Sequence, residues 1–157
     1  MPKYSIPLSV PSINGNEWQY LKECLDTEWV SSAGKYVDLF EKKIAEYTGS
    51  KYAVSCVNGT SALQVALRLT GIRPGDEVIV PTLTFIAPVN AVAYNGATPV
   101  FMDADEYYNM DPEKTIEFIQ NETQFSDNGS QFTINRKTGK RIAAIIPVHI
   151  WGNAARL

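Results

Sequence analysis

The sequence predicts an α/β domain: a mostly parallel sheet with flanking helices. Three observations carry that reading. Amphipathic helical stretches alternate with short apolar, β-branched runs, the alternation repeats as strand, loop and helix, and Gly, Pro and Asn breaks fall at the junctions.

Taken in order, the first predicted helix runs from Glu17 to about Glu28 and the second from about Lys35 to Thr48. Val37, Phe40, Ile44 and Tyr47 form the apolar stripe of the second, and Gly49 stands at its stop. A first strand is expected over Tyr52–Cys56, followed by Val57-Asn58-Gly59 and a helix from about Thr60 to Leu69 that ends near Gly71. Arg73-Pro74-Gly75-Asp76 turns into a second strand, Glu77–Val80, and a helix follows from about Phe85 to Tyr94, stopped by Asn95-Gly96. The third strand spans about Pro99–Met102. Asp111-Pro112 then reads as an N-cap with proline at the first helical position, opening a helix to about Gln120. Between Phe125 and Arg141 the chain is polar. There Phe132-Thr133-Ile134 and Arg141-Ile142 flank Asn135 to Gly139, which predicts a β-hairpin insertion. The fourth strand, Ile142–Val148, leads into His149-Ile150-Trp151-Gly152-Asn153.

Composition narrows the function. With 157 residues, 45% hydrophobic and 20% charged, the chain can bury a sizeable core and is not expected to be disordered. A net charge of −3 and no recurrent Lys/Arg face argue against nucleic acid. The N-terminus lacks the apolar core of a secretion signal, and no apolar run reaches the ~20 residues of a membrane span. A cytoplasmic protein without a membrane partner is expected. Cys24 and Cys56 have no metal-type spacing, so no metal site is assigned and buried free thiols are expected.

Three places could carry chemistry. Asn58-Gly59-Thr60-Ser61-Ala62 falls where a strand gives way to a helix, and free N–H groups at a helix N-terminus favour a phosphate. The alternative is a plain N-cap. Pro81-Thr82-Leu83-Thr84-Phe85 follows a strand, at the end where open α/β sheets bind ligands, and Phe85 could stack on a flat heteroaromatic ring or be a core residue. His149, the only histidine, could serve acid/base chemistry or ligand hydrogen bonding, or be held by a backbone carbonyl. No G-x-G-x-x-G follows the first strand, which disfavours a dinucleotide-binding dehydrogenase.

Five segments in order resemble the DegT/DnrJ/EryC1/StrS sugar aminotransferases: Ile6-Pro7-Leu8-Ser9, Trp29-Val30-Ser31-Ser32-Ala33-Gly34-Lys35, Asn58 to Leu63, Val80 to Phe85, and Pro147-Val148-His149-Ile150-Trp151-Gly152. The hairpin Asn135 to Arg141 running into Ile145-Ile146-Pro147 resembles the branch that makes amino sugars for legionaminic-acid-type nonulosonic acids.

The resemblance implies the N-terminal part of the large domain of a fold-type I transferase dependent on pyridoxal 5'-phosphate (PLP), an incomplete domain with residues 1–50 as N-terminal helices and 51–157 as an α/β core. It implies that Gly59, Thr60 and Ser61 receive the cofactor phosphate, that Phe85 stacks on the pyridine ring, and that His149 faces the cofactor. It places Trp29, Ser31, Ser32 and Gly34 on the substrate side. The implied reaction moves an amino group from an amino-acid donor, glutamate, to a 4-keto nucleotide-linked deoxysugar, in a homodimer. In the family the Schiff-base lysine, the aspartate that meets the pyridine nitrogen and a small C-terminal domain follow the histidine motif, beyond Leu157. Lys51, Lys114 and Lys137 do not match that lysine. No catalytic residue is therefore assigned, and the chain alone is expected to be inactive and self-associated or poorly soluble. A catalytically silent binding or interaction module and a PLP-dependent sugar dehydratase of the same fold remain the alternatives.

Overall fold

A computed structural model describes residues 9–126 and 132–156, in two compact units that divide between Ser55 and Cys56. Ile6, Pro7 and Leu8 of the first quoted segment, and residues 127–131 of the expected insertion, lie outside the described residues.

The first unit holds α1 (Glu17–Asp26) and α2 (Lys35–Thr48). α1 stops before the expected Glu28, which adopts φ 59°, while the Thr27 hydroxyl donates to the Glu23 carbonyl. Gly49 ends α2 in the left-handed region, as the stop signal predicts. Neither helix buries a residue within its own unit, so the Val37, Phe40, Ile44 and Tyr47 stripe lacks a full cover there.

The expected first strand does not form. Residues 52–56 carry no ladder, and the Ser55 N–H and hydroxyl instead donate to Glu41 Oε1 at 2.8 and 2.9 Å. Apolar alternation confers a face, but a strand also needs a neighbouring backbone, and none among the described residues runs beside this segment. Cys56 is consequently exposed, and Cys24 is half-buried rather than buried; both are free thiols.

The second unit holds α3 (Gly59–Leu69), β1 (Glu77–Pro81), α4 (Ile86–Tyr94), β2 (Thr98–Met102), α5 (Pro112–Glu122), β3 (Thr123–Ser126), β4 (Phe132–Asn135) and β5 (Arg141–Ile145). The sheet order is β2-β1-β5-β4-β3. β1 pairs parallel with both β2 and β5, with an irregularity between Glu77 and Val78 on the β5 side. β4 pairs antiparallel with β5 and with β3. The hairpin expected as an insertion is thus the arm that continues the sheet, and β5 is at once its second strand and the fourth predicted one. β3 was not predicted. β5 ends at Ile145 rather than Val148, because Ile146 donates the last ladder bond, to the Ile79 carbonyl, and Pro147 has no N–H to offer.

The core lies on both faces of β1, whose Val78, Ile79 and Val80 are fully buried. Val78 and Val80 pack with Leu67, Ala91, Val92 and Ala97 beneath α3 and α4, and Ile79 packs with Met102 and Met110 on the other face. This alternation is the period-two pattern of a strand covered on both sides.

Candidate functional site

The three parallel strands share one direction, so their carboxyl ends define one edge of the sheet. At that edge Thr82 ties β1 to β2, donating both its N–H (2.8 Å) and its hydroxyl (2.9 Å) to the carbonyl of Met102. Phe85 follows as the N-cap of α4 and is 77% exposed, so its ring is not a core residue here. Beside it the Thr84 hydroxyl is buried and has no partner among the described residues, an expensive state.

α3 ends toward the opposite, amino-terminal edge, where the Gly71 carbonyl beyond its last turn accepts from Arg141 Nη2 at 2.7 Å and Arg141 opens β5. The helix begins at Gly59, one residue before the expected Thr60. Asn58, not Thr or Ser, caps it, its side chain accepting from Ser61 N–H at 2.9 Å. Ala62 N–H is taken by the Asn58 carbonyl. The N–H groups of Gly59 and Thr60 have no partner among the described residues, and a Cβ placed on Gly59 would meet nothing within 4 Å. An open space thus faces two free amides and the positive end of the helix.

His149 lies beyond β5, leading into a short 3-10 turn, Ile150–Gly152. Rather than being held by a backbone carbonyl, its Nδ1 accepts from Ala155 N–H at 3.0 Å. The neutral ring then carries its proton on Nε2, available as a donor.

Trp29, Ser31, Ser32 and Gly34 belong to the first unit. There Trp29, Ser31 and Gly34 line a cleft of about 640 Å³ together with Glu23, Lys35 and Tyr36; Ser32 is not among its lining residues. Gly34 caps α2 at φ 149°, a conformation that suits glycine, with Trp29 Cε3 3.6 Å from where a Cβ would stand. Glu23 accepts from Lys35 Nζ and from the Tyr36 hydroxyl, each at 2.6 Å. That hydrogen bond pushes the Tyr36 phenol up to about 12, and Lys35 followed by Tyr36 draws the Glu23 carboxyl below its ordinary value.

Two residues at the carboxyl edge escaped the sequence reading. Thr84 lay inside a quoted segment, but only burial reveals its unpaired hydroxyl. Asn109 hydrogen-bonds the turn after His149 and carries no local sequence signal.

Residues 11–157 match the sequence profile of the DegT/DnrJ/EryC1/StrS aminotransferase family. The chain is 43% identical over 153 residues to the GDP-perosamine synthase of Caulobacter vibrioides and 46% identical over 149 residues to that of Escherichia coli O157:H7. It covers 97% and 94% of its own length in these comparisons and 36% of each relative, and so spans about a third of the curated relatives it matches. Among solved structures it resembles a DegT/DnrJ/EryC1/StrS aminotransferase from Brucella abortus, with TM-score 0.71, 37% identity, and 90% of this chain and 35% of that one covered. It also resembles a GDP-4-keto-6-deoxymannose-3-dehydratase solved with PLP and glutamate, with TM-score 0.66, 26% identity, and 76% and 33% covered.

Proposed function

Since the chain belongs to the DegT/DnrJ/EryC1/StrS aminotransferase family, we propose that the protein carrying it is a PLP-dependent transaminase acting on a nucleotide-linked 4-keto deoxysugar, with glutamate as amino donor. The observation that supports this most is the start of α3, with two free amides and an open glycine face, together with the exposed Phe85 at the carboxyl edge of the sheet. These residues fit the group. Gly59, Thr60 and Ser61 would receive its phosphate and the Phe85 ring would stack on its pyridine. Bound PLP supplies the carbonyl and the electron sink for amino transfer. His149 would offer its Nε2 proton on the cofactor side. Trp29, Ser31, Ser32 and Gly34 would meet the sugar nucleotide.

Residues 1–50 and 51–157 are assigned to one large cofactor-binding domain in a cytoplasmic homodimer; the free thiols of Cys24 and Cys56 agree with a reducing compartment. The two GDP-perosamine synthases favour a GDP-linked sugar. The hairpin Asn135 to Arg141 favours the legionaminic-acid-type branch instead, so the nucleotide is part of the test.

The experiment loads the full-length protein with PLP, supplies glutamate and GDP- or UDP-linked 4-keto-6-deoxy sugars, and follows products by mass spectrometry. An amino sugar nucleotide is expected. Loss of a hydroxyl without amino transfer would instead establish the dehydratase reading, which the similarity to the 3-dehydratase motivates. Failure to bind PLP would leave a silent module. Bulky residues at Thr60 and Ser61 should weaken PLP binding in a fluorescence titration, and unchanged affinity would remove the phosphate role.

A further inference from the structure

We infer that Asn109 is a positioning residue for His149: its buried carboxamide fixes the turn from His149 to Ala155 so that the ring presents Nε2–H as its free donor. The purpose of that arrangement rests on the proposed cofactor-side role of His149, whereas its geometry does not.

Ala155 N–H donates to His149 Nδ1, and the carbonyl of the same peptide unit, Ala154 C=O, accepts from Asn109 Nδ2 at 3.3 Å. In a trans peptide the N–H and C=O point in opposite directions. Asn109 on one side and the imidazole on the other therefore hold a single peptide plane. The other end of the turn is tied to the same side chain, since Asn109 Oδ1 accepts from Ile150 N–H at 3.3 Å, one residue after the histidine. One carboxamide thus spans both ends of the loop that carries His149.

Asn109 can do this because it is itself fixed. It is 3% exposed, its N–H donates to Asp105 Oδ1 at 3.1 Å, and its carbonyl accepts from Asp105 N–H at 2.8 Å. The Ala104 to Met110 bridge closes that loop beyond β2. A further contact joins the loops: Asn153 Nδ2 donates to the Tyr107 carbonyl at 3.3 Å. Tyr108 (φ 66°) and Trp151 (φ 51°) both adopt left-handed backbone, and their rings meet edge to face at 5.4 Å. Side-chain-bearing residues hold that conformation only where their surroundings impose it, and each loop here imposes it on the other.

His149 is the sole histidine of this sequence, so in the ¹⁵N-labelled full-length protein a long-range ¹H–¹⁵N correlation, at a pH where the ring is neutral and with a His149→Gln control to assign it, reads this imidazole. We expect an unprotonated Nδ1, a protonated Nε2, and a through-hydrogen-bond ¹⁵N–¹⁵N coupling from Ala155 to Nδ1. Asn109→Ala and Asn109→Asp should mix the tautomers and speed Ala155 amide exchange roughly five- to tenfold, with the amides of Val78–Val80 reporting that the sheet persists. A folded variant that keeps one tautomer and slow Ala155 exchange overturns the inference. Should neither variant fold, the native chain decides: a proton on Nδ1, or no coupling to Ala155, overturns it, and the coupling together with one from the Asn109 side-chain amide to the Ala154 carbonyl carbon supports it. Adding PLP to the full-length protein separates the two readings. An Nε2–H signal that PLP does not move overturns the cofactor-side role and leaves the positioning role intact.

Discussion

Arg141 grips Asp76 with two donors, Nε to Oδ1 at 3.1 Å and Nη2 to Oδ2, while Nη2 also reaches the Gly71 carbonyl. The pair ties the first residue of β5 to the turn before β1 and to the end of α3. Burial alone would raise the Asp76 carboxyl, but the Arg141 guanidinium and the Arg73 N–H more than offset it and hold it below its ordinary value. Arg141→Met should cost about 2–3 kcal/mol in denaturant unfolding, less than a fully buried pair because the arginine side chain is 28% exposed. Since the folded carboxyl is the stronger acid, its stabilisation is complete above the ordinary value of 3.8 and disappears as the pH falls through the folded value. Asp76→Asn should therefore flatten the acid limb of the stability curve, and an unchanged limb would show that other carboxylates dominate it.

A second buried polar contact spans the sheet. Asn135 Nδ2 donates to Glu77 Oε2 at 2.8 Å, and the two residues are 6% and 2% exposed. Asn135→Leu strands a buried carboxylate and should lower stability by about 3 kcal/mol. Adding Glu77→Gln removes the stranded charge and should recover part of that loss. A double variant no more stable than Asn135→Leu would place the cost in the hairpin itself, where Asn135 Oδ1 also accepts from Lys137 N–H.

In the first unit, Tyr36 should titrate near 12, later than an ordinary tyrosine, because Glu23 holds its proton. Following the Cζ resonances of the eight labelled tyrosines through an alkaline titration would isolate it. Glu23→Gln should return it toward the ordinary range. A Tyr36 titration that this change leaves in place would mean the hydrogen bond does not persist in solution.

Asp111 caps α5, its Oδ1 accepting from Lys114 N–H at 3.0 Å, a bond that lowers its carboxyl below the ordinary value. Asp111→Ala should cost about 1 kcal/mol by thermal unfolding, and Asp111→Ser should restore most of it. Equal losses for the two would indicate that the first turn is held by Pro112 and packing rather than by the cap.

The parts of the fold that the sequence displays openly are those whose signals are local. The Val37 to Tyr47 stripe with Gly49, and Asp111 before Pro112, define α2 and α5 almost to the residue. Tyr52–Cys56 misleads because its apolar pattern is real while the backbone partner a strand needs is not beside it. Thr123–Ser126 fails in the opposite sense: its residues look like a helix end and a polar loop, and only pairing with Phe132–Asn135 makes them a strand. Of the candidate site residues, Gly59, Thr60, Ser61, Phe85 and His149 stand out in the sequence because each sits at the junction of two predicted elements. Asn109 is invisible because its partners, Ile150 and Ala154, reach it only through folding.

The double pairing of β5 bears on how the sheet assembles. Its antiparallel contact with β4 closes a short loop, from Ile134 to Arg141, whereas its parallel contact with β1 joins Glu77 to Ile142 across most of the second unit. Closing a long loop before any contact rewards it is the slower entropic step. The hairpin would form early and offer a ready edge, with the long-range pairing of β1 left to the rate-limiting encounter. On that account substitutions within Lys137–Gly139 and at Val78 or Val80 alike mainly change how fast the domain folds, because both sets of contacts are made by the time the barrier is crossed.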